Sequence, residues 1–390
     1  MSNKQKTVMM IGGGIQEVKA VEIAQSVGYK VIVTDRNKDA PCLPYADYNA
    51  KIDGRDIEGL IAYTLLNKEK LNILGVFTLT ELVTSVAAVA QACSLPGVSL
   101  MSAVACQNKA ICKNIWTRDQ ISTPIGRVVR TVKEAKLLFN ELNKKAFVKP
   151  LVGFGGIGAC KIVSEEDIDK LFLEKNNQEL LMEELVDGAM HDVNAVFDSN
   201  GKFIPLGCFD RFFDKDFPVE TGAVYPSQLN NKLIKEAYTL TKNAALSLGI
   251  KWGPVKSDLV LTQSGFQILE MAPRLHGPKG SLFLSSMVDK QDHLTYILDI
   301  LTGVTATMRT RDVSNKLAVY EAIEHPKRTF SRINGIRSIQ GIDILLLNEF
   351  SSKNSYRDNS DVIGYVFGKG TYLDLVKDEL KRAKEAISFG

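Results

Sequence analysis

The chemistry-bearing residues of this chain cluster between positions 149 and 279. Lys149 ends an extended run, Phe147-Val148-Lys149-Pro150, and a glycine-rich stretch follows, Gly153-Phe154-Gly155-Gly156-Ile157-Gly158. Glycine lets backbone N–H groups turn toward an anion with no Cβ in the way. A lysine at the strand end beside such a loop reaches phosphate oxygens; the plainer reading is a solvated lysine beside a turn. Further on, Asp258 and Glu270 flank the turn Thr262–Gly265, and a hairpin there brings the two carboxylates opposite each other. Paired carboxylates suit Mg2+, which takes one or two of them plus phosphate oxygens. Arg274 can neutralise a phosphoryl group in transfer. A hairpin with two surface acids is the competing interpretation. Next comes His276-Gly277-Pro278-Lys279-Gly280. His276 suits orienting a carboxylate or serving as base for an amine, and Lys279 suits pairing with a substrate carboxylate. A turn with a solvent lysine competes here too.

An earlier glycine turn, Gly12-Gly13-Gly14-Ile15-Gln16-Glu17, follows a strand, opens a helix and has Asp35 about 20 residues on, the layout of a dinucleotide site. The third glycine of G-x-G-x-x-G would fall at Glu17, whose carboxylate repels a pyrophosphate and obstructs close helix–strand packing. This segment therefore reads as a tight strand-to-helix turn, with a nicotinamide-dependent oxidoreductase as the rival class. The second loop matches G-x-G-x-x-G by spacing, yet it joins strand to strand, as a flap over phosphates does.

The elements that must carry these residues fall into a rhythm. Strands at Val8–Ile11, Lys30–Thr34 and Ile73–Thr78 alternate with helices at Val18–Val27, near Arg55–Asn67 and at Glu81–Ala92, predicting a parallel sheet covered on both faces. Beyond Asn108 come a helix at Lys109–Asp119, a helix at Lys133–Leu142, a strand at Ala146–Lys149, a strand at Gly158–Val163, a helix started by Ser164, and strands at Leu180–Glu184 and Val193–Phe197. Ser227 is the expected cap of a long helix stopped by Gly249. Strands at Leu259–Leu261 and Gln267–Glu270, a helix at His293–Leu301, strands at Lys316–Ala322, Gly341–Leu347 and Val362–Lys369, and a helix at Tyr372–Ile387 complete the pattern.

With 390 residues the chain should divide into two or three domains. A net charge of +3 is too small to argue for nucleic acid or a membrane surface, and neither is expected as a partner. Six scattered cysteines without a C-x-x-C pair favour reduced thiols in a cytoplasm over a disulfide scaffold or zinc site. No targeting peptide is read at the N-terminus, and no apolar run approaches the ~20 residues of a membrane span.

Taken in order, these motifs resemble the ATP-grasp superfamily over nearly the whole chain, most closely the carboxylate–amine ligases related to L-amino acid ligases, biotin carboxylase and the purine-pathway carboxylate ligases. The resemblance implies an α/β chain, α+β in its catalytic part. A Rossmann-like pre-ATP-grasp domain spans 1–107, with Asp35 and Ala40-Pro41. A small lid subdomain spans 108–188, and a large subdomain with a C-terminal mixed sheet spans 189–390. Lys109, in Asn108-Lys109, and Lys149 match the two ATP-binding lysines. Gly153, Phe154, Gly155 and Gly156 match the phosphate flap. In Met182-Glu183-Glu184-Leu185-Val186-Asp187-Gly188, Glu183 would accept from the adenine amino group, and the backbone of Glu184, Leu185 and Val186 would read the ring edge. Met190 stands where the family usually has a ribose-binding glutamate, and Asp192, on the same strand face, could substitute. Asp258 and Glu270 match the metal carboxylates, implying ATP with two magnesium ions (manganese as substitute). Arg274 matches the arginine at the γ-phosphate, while Ala272 replaces an asparagine that often assists the second metal. Asp210, Arg211 and Glu220 fall on a loop-rich stretch lining the substrate pocket of relatives, where Glu220 could hold an ammonium. Phe209, Phe212, Phe213 and Phe217 wall that pocket or join the core. His293 and His325 read as structural.

The implied reaction activates a small carboxylate or amino acid as an acyl phosphate and joins it to an amine, releasing ADP and phosphate. Both substrates are small molecules, and a homodimer is compatible. A carboxylating or acyl-phosphate-forming enzyme and a non-catalytic nucleotide-binding protein remain alternatives.

Overall fold

A computed structural model describes residues 5–174, 178–289, 292–303, 315–335, 341–352 and 359–390. Its first unit is a parallel sheet of β1 (Thr7–Ile11), β2 (Lys30–Thr34), β3 (Tyr48–Ala50) and β4 (Ile73–Phe77) in the order β3-β2-β1-β4. Helices α1 (Val18–Ser26), α2 (Ile57–Leu71) and α3 (Val83–Ala92) connect and cover it, and α4 (Leu100–Gln107) follows. Alternation along β1 decides which face each residue serves. Val8 and Met10 pack with α1, whereas Met9 and Ile11 pack with α2 and α3 residues. The first of these faces is completed from far away in sequence. Leu294, Ile297, Leu298 and Leu301 join Val8, Met10 and Val31 in one core.

The second unit is an antiparallel sheet, β5-β8-β6-β7, built from β5 (Gly126–Val129), β6 (Ala146–Pro150), β7 (Cys160–Ile162) and β8 (Leu180–Glu184). It is backed by α6 (Val132–Glu141) and α7 (Glu165–Glu174), whose Leu138, Phe139, Ile168 and Phe172 meet Val148 and Met182. Helix α5 (Lys109–Arg118) leads into it, and the Asn108 side chain caps that helix by accepting from the N–H groups of Ala110 and Ile111.

The third unit is an eight-stranded sheet in the order β13-β12-β9-β10-β11-β14-β17-β16. Its strands are β9 (Ala189–Phe197), β10 (Phe203–Phe213), β11 (Glu220–Tyr225), β12 (Gly253–Thr262), β13 (Gly265–Ala272), β14 (Leu317–Ile323), β16 (Asp343–Leu346) and β17 (Gly364–Gly370); β15 (Ile333–Asn334) and β18 (Ser388–Phe389) pair separately. Helices α8 (Asn231–Ser247), α9 (Ser285–Val288), α10 (His293–Leu301) and α11 (Leu373–Glu385) complete it, with a π-helix at Lys279–Leu284. Two expectations change here. The stretch around Asp210, Arg211 and Glu220 is regular strand, because Asp210 and Arg211 pair with Val224 and Ala223 on one side and with His191 and Met190 on the other. Asn230, not Ser227, caps α8, and the Ser227 hydroxyl donates instead to the Asp210 carboxylate. Among the described residues no helix is long and apolar enough to cross a membrane. All six cysteines are free thiols.

Candidate active site

One cavity of about 330 Å³ lies where the three units meet. It is lined by Lys109, by Lys149 and the Gly153–Gly156 stretch, by Arg211 and Glu220, by Asp258, Glu270 and Arg274, and by His276 and Lys279. Residues far apart in sequence thus converge as the motif reading required.

The second unit supplies the first cations. Lys149 leaves β6 toward Glu183 on β8, with 2.6 Å between Nζ and Oε2. Lys113 holds the other oxygen of Glu183 at 2.6 Å. Burial alone would lower the Lys149 pKa, but Glu183, and behind it Glu270 and Asp258, raise it. Glu183 is buried with both oxygens committed to lysines. The expected acceptor for an adenine amino group therefore serves as counter-ion to Lys149. The N–H groups of Glu184 and Leu185 donate to the carbonyls of Ile125 and Lys145, leaving Val186 as the hinge donor without a hydrogen bond among the described residues. Lys113 went unread in the sequence, although it lies one helical turn beyond Lys109 and so on the same face.

The glycine loop bends over the cavity with Gly153, Gly155, Gly156 and Gly158 all at positive φ. It also touches the third unit and the Asn359 backbone. A Cβ on Gly156 would collide with the Pro218 carbonyl, and the Gly155 carbonyl accepts from the Asn359 N–H at 3.3 Å. Lys109 Nζ donates to the Gly153 carbonyl at 2.7 Å and stands 3.3 Å from Glu270 Oε1, linking loop and carboxylate.

On the hairpin, a bulge after Asp258 shifts the register so that Asp258 faces Glu270. Without it Asp258 would oppose Leu269, and Glu270 would fall on the other face of the sheet. Glu270 keeps 31% of its side chain exposed toward solvent, while Asp258 is bound on Oδ1 by Lys256 and by Arg211 at 3.2 Å. Burial opposes ionisation of Asp258, yet these two cations hold its carboxyl well below the ordinary range. The ion pairs use only Oδ1. Glu270, partly exposed opposite Asp258, is the carboxylate open to a divalent cation, whose shell phosphate would complete. Among the described residues no cluster of three or more His, Cys, Asp or Glu side chains forms a metal site.

The inner end of the cavity is a dense charged network. Arg211 reaches Glu220 at 2.8 Å and Asp192 at 2.8 Å. Glu220 also accepts from Lys279 at 2.5 Å and from the Tyr320 hydroxyl. Burial would raise the Glu220 carboxyl, but Arg211 and Lys279 hold it well below its usual range. His276 Nε2 lies 3.3 Å from Asp192 Oδ2, and its Nδ1 is buried without a hydrogen-bond partner among the described residues. Burial, reinforced by Arg211, pushes the imidazole far below its ordinary pKa, so it stays neutral. Asp192 is fully buried in this network and absent from the cavity wall, which Met190 lines instead. The expected ribose role for Asp192 has no geometric support: cross-strand pairing with Asp258 aims it at Arg211. Arg274 pairs with Glu81, a residue of the loop after β4 that the sequence reading missed. Its position beyond the carboxyl end of a parallel strand was the available signal.

The first glycine turn is already filled. The Gly13 N–H donates to Asp35 at 3.0 Å, and Glu17 is buried with a carboxylate oxygen 2.5 Å from where a Gly14 Cβ would stand. His293 is part of a buried network in which Asn194 accepts from the His276 N–H at 2.7 Å.

This lid, flap and carboxylate hairpin define an ATP-grasp domain, and residues 106–278 match the model of that domain. Over its full length the chain superposes on the L-amino acid ligase of Bacillus licheniformis with a TM-score of 0.83, at 18% identity, covering 100% of this chain and 99% of that one. It is similarly close to the biotin carboxylase domain of 2-oxoglutarate carboxylase from Hydrogenobacter thermophilus, solved with MgADP and bicarbonate, with a TM-score of 0.76, 17% identity and coverages of 100% and 91%. In sequence, it is 26% identical over 355 residues to an uncharacterized protein of Sinorhizobium fredii, spanning 87% of this chain and 73% of that protein.

Proposed function

We propose that the chain is an ATP-dependent carboxylate–amine ligase, ADP-forming, acting on small molecules. The observation that carries this reading is the convergence of Lys109, Lys149 and Arg274 with Asp258 and Glu270 around one cavity roofed by a glycine flap. Phosphoryl transfer asks a protein mainly for position and charge neutralisation. A carboxylate approaching the γ-phosphate to about 4 Å meets a repulsion of roughly 4 kcal/mol per charge pair at an effective dielectric near 20. Lys109, Lys149 and Arg274 offset that repulsion. Bound magnesium, held at Glu270 and Asp258, would add charge neutralisation at the phosphate oxygens.

In the proposed reaction the substrate carboxylate attacks the γ-phosphorus and ADP leaves. The amine then attacks the acyl carbon and expels phosphate, losing a proton. His276, neutral and carrying an unsatisfied Nδ1, suits orienting the acid or taking that proton, while Arg211, Glu220 and Lys279 shape the acid or amine pocket. The flap, pinned at Gly155 and Gly156, excludes water from the intermediate. Val186 is the backbone donor for the adenine edge. The carboxylating alternative draws on the likeness to a biotin carboxylase domain solved with bicarbonate.

The test is a phosphate-release screen of paired amino acids and small carboxylic acids with mass detection of products. The proposal expects ADP and phosphate only when an acid and an amine are both present, with an amide product. Turnover that requires bicarbonate moves the assignment to a carboxylating enzyme. Tight Mg-ATP binding with no ADP from any pair favours a non-catalytic nucleotide-binding protein.

A further inference from the structure

Lys256 and Asp258 lie two residues apart on β12 and so share a face. The Lys256 ammonium is buried, ion-paired with Asp258 Oδ1, and 3.9 Å from Asp192 Oδ2. Arg211 touches the same Asp258 oxygen from β10 at 3.2 Å. Asp258 therefore meets two fixed monovalent cations before any divalent ion arrives. Glu270 differs: its neighbouring cation is Lys109 at 3.3 Å, and it remains partly exposed. Two residues after Glu270, Ala272 brings no side-chain oxygen to the hairpin. Two divalent ions side by side need several anionic or neutral oxygen donors, and the donor set here serves one.

We infer that Lys256 is a built-in cation occupying the charge position of a second divalent ion, so that the chain binds ATP with a single magnesium seated at Glu270. This rests on the nucleotide reading above and departs from the two ions that the family resemblance implies. Lys256 holds Asp258 in a fixed ion pair, and a second divalent ion brought there would meet Lys256 and Arg211, two cations already in place and shared with the buried Asp192. Lys256 is thus a positioning residue for the metal complement, acting through Asp258.

The test measures protein-bound manganese against protein-bound non-hydrolysable ATP analogue, by equilibrium dialysis with elemental analysis at saturating analogue. Wild type should give a ratio of about one, and Lys256→Arg, which keeps the cation, should match it. Lys256→Met should raise the ratio toward two; if that variant does not fold, Lys256→Ala takes its place. A wild-type ratio of two overturns the inference by itself. So does a ratio that stays at one after the charge is removed. Failure of the analogue to bind wild type at all sinks the nucleotide reading along with it, an outcome distinct from either ratio.

Discussion

The two glycine-rich turns of this chain offer the same backbone freedom and end in opposite states. In the first, at Gly12–Gly14, anionic side chains of the chain itself fill the turn: Asp35 accepts the Gly13 N–H and Glu17 is buried against Gly14. In the second, at Gly153–Gly158, the loop itself carries no acidic residue, and Lys109 and Lys149 flank it on the cavity side. Glycine content marks where a phosphate can be approached, and the neighbouring charges decide whether one is accepted. A fold can keep a strand–turn–helix frame as scaffold after acids have closed its anion site.

Replacing the charge at the second turn should have the largest effect. Lys149→Gln removes a buried cation that pairs with Glu183, and affinity for a Mg-ATP analogue should fall on the order of 100-fold by calorimetry. NADH should bind neither protein. NADH binding tighter than ATP and untouched by Lys149→Gln would reverse the roles of the two turns.

Next come paired glycine substitutions. Gly156 sits at φ +74 with the Pro218 carbonyl in the way of a Cβ, so Gly156→Ala strains the closed flap. KM for ATP should rise about 10-fold, in line with ~1–3 kcal/mol of local strain. At Gly13 a Cβ would lie 3.0 Å from Val33 Cγ1, a packing conflict alone. Gly13→Ala should lower stability by ~1 kcal/mol and leave KM for ATP unchanged. Equal effects on KM from both variants would erase the distinction.

The smallest effect concerns the plug of the first turn. Burial, aided by Asp35, raises the Glu17 carboxyl above its ordinary 4.5. The folded chain therefore holds that proton more tightly than the unfolded chain. Folding is favoured by this group below about pH 4.5, and the advantage is lost as pH rises from there through the raised folded value. Glu17→Gln should raise Tm at pH 7 by about 2 °C, with the gain shrinking toward pH 4. A gain that grows on acidification would contradict buried, unfavourable charge at this turn.

Much of this contrast was legible in residue order. The Lys149–glycine pair, the parallel first sheet and the carboxylate hairpin follow from local period and turn chemistry, which a sequence states directly. Glu183 and Asp192 were given ligand roles because strand alternation says which face a residue occupies and nothing about which cations meet it there. Lys113 lies 70 residues from Glu183, and Arg211 lies 19 from Asp192 across β10. The loop-rich stretch that the resemblance implies at Asp210, Arg211 and Glu220 is instead strands β10 and β11, joined by a segment with Asp214, Asp216 and Pro218 that interrupts the alternation. Glu81 reaches the site from the first unit and Tyr320 from a neighbouring strand of the large sheet, and no local pattern announces a contact made across 193 or 100 residues.

Activation of a carboxylate by phosphoryl transfer from ATP can be read directly by oxygen tracing. The acid found by the substrate screen is labelled with oxygen-18 in its carboxylate, and the released phosphate is weighed by mass spectrometry after turnover with ATP and amine. One labelled oxygen is expected in each phosphate, carried over when the amine breaks the acyl phosphate. Unlabelled phosphate, or AMP in place of ADP, would contradict it.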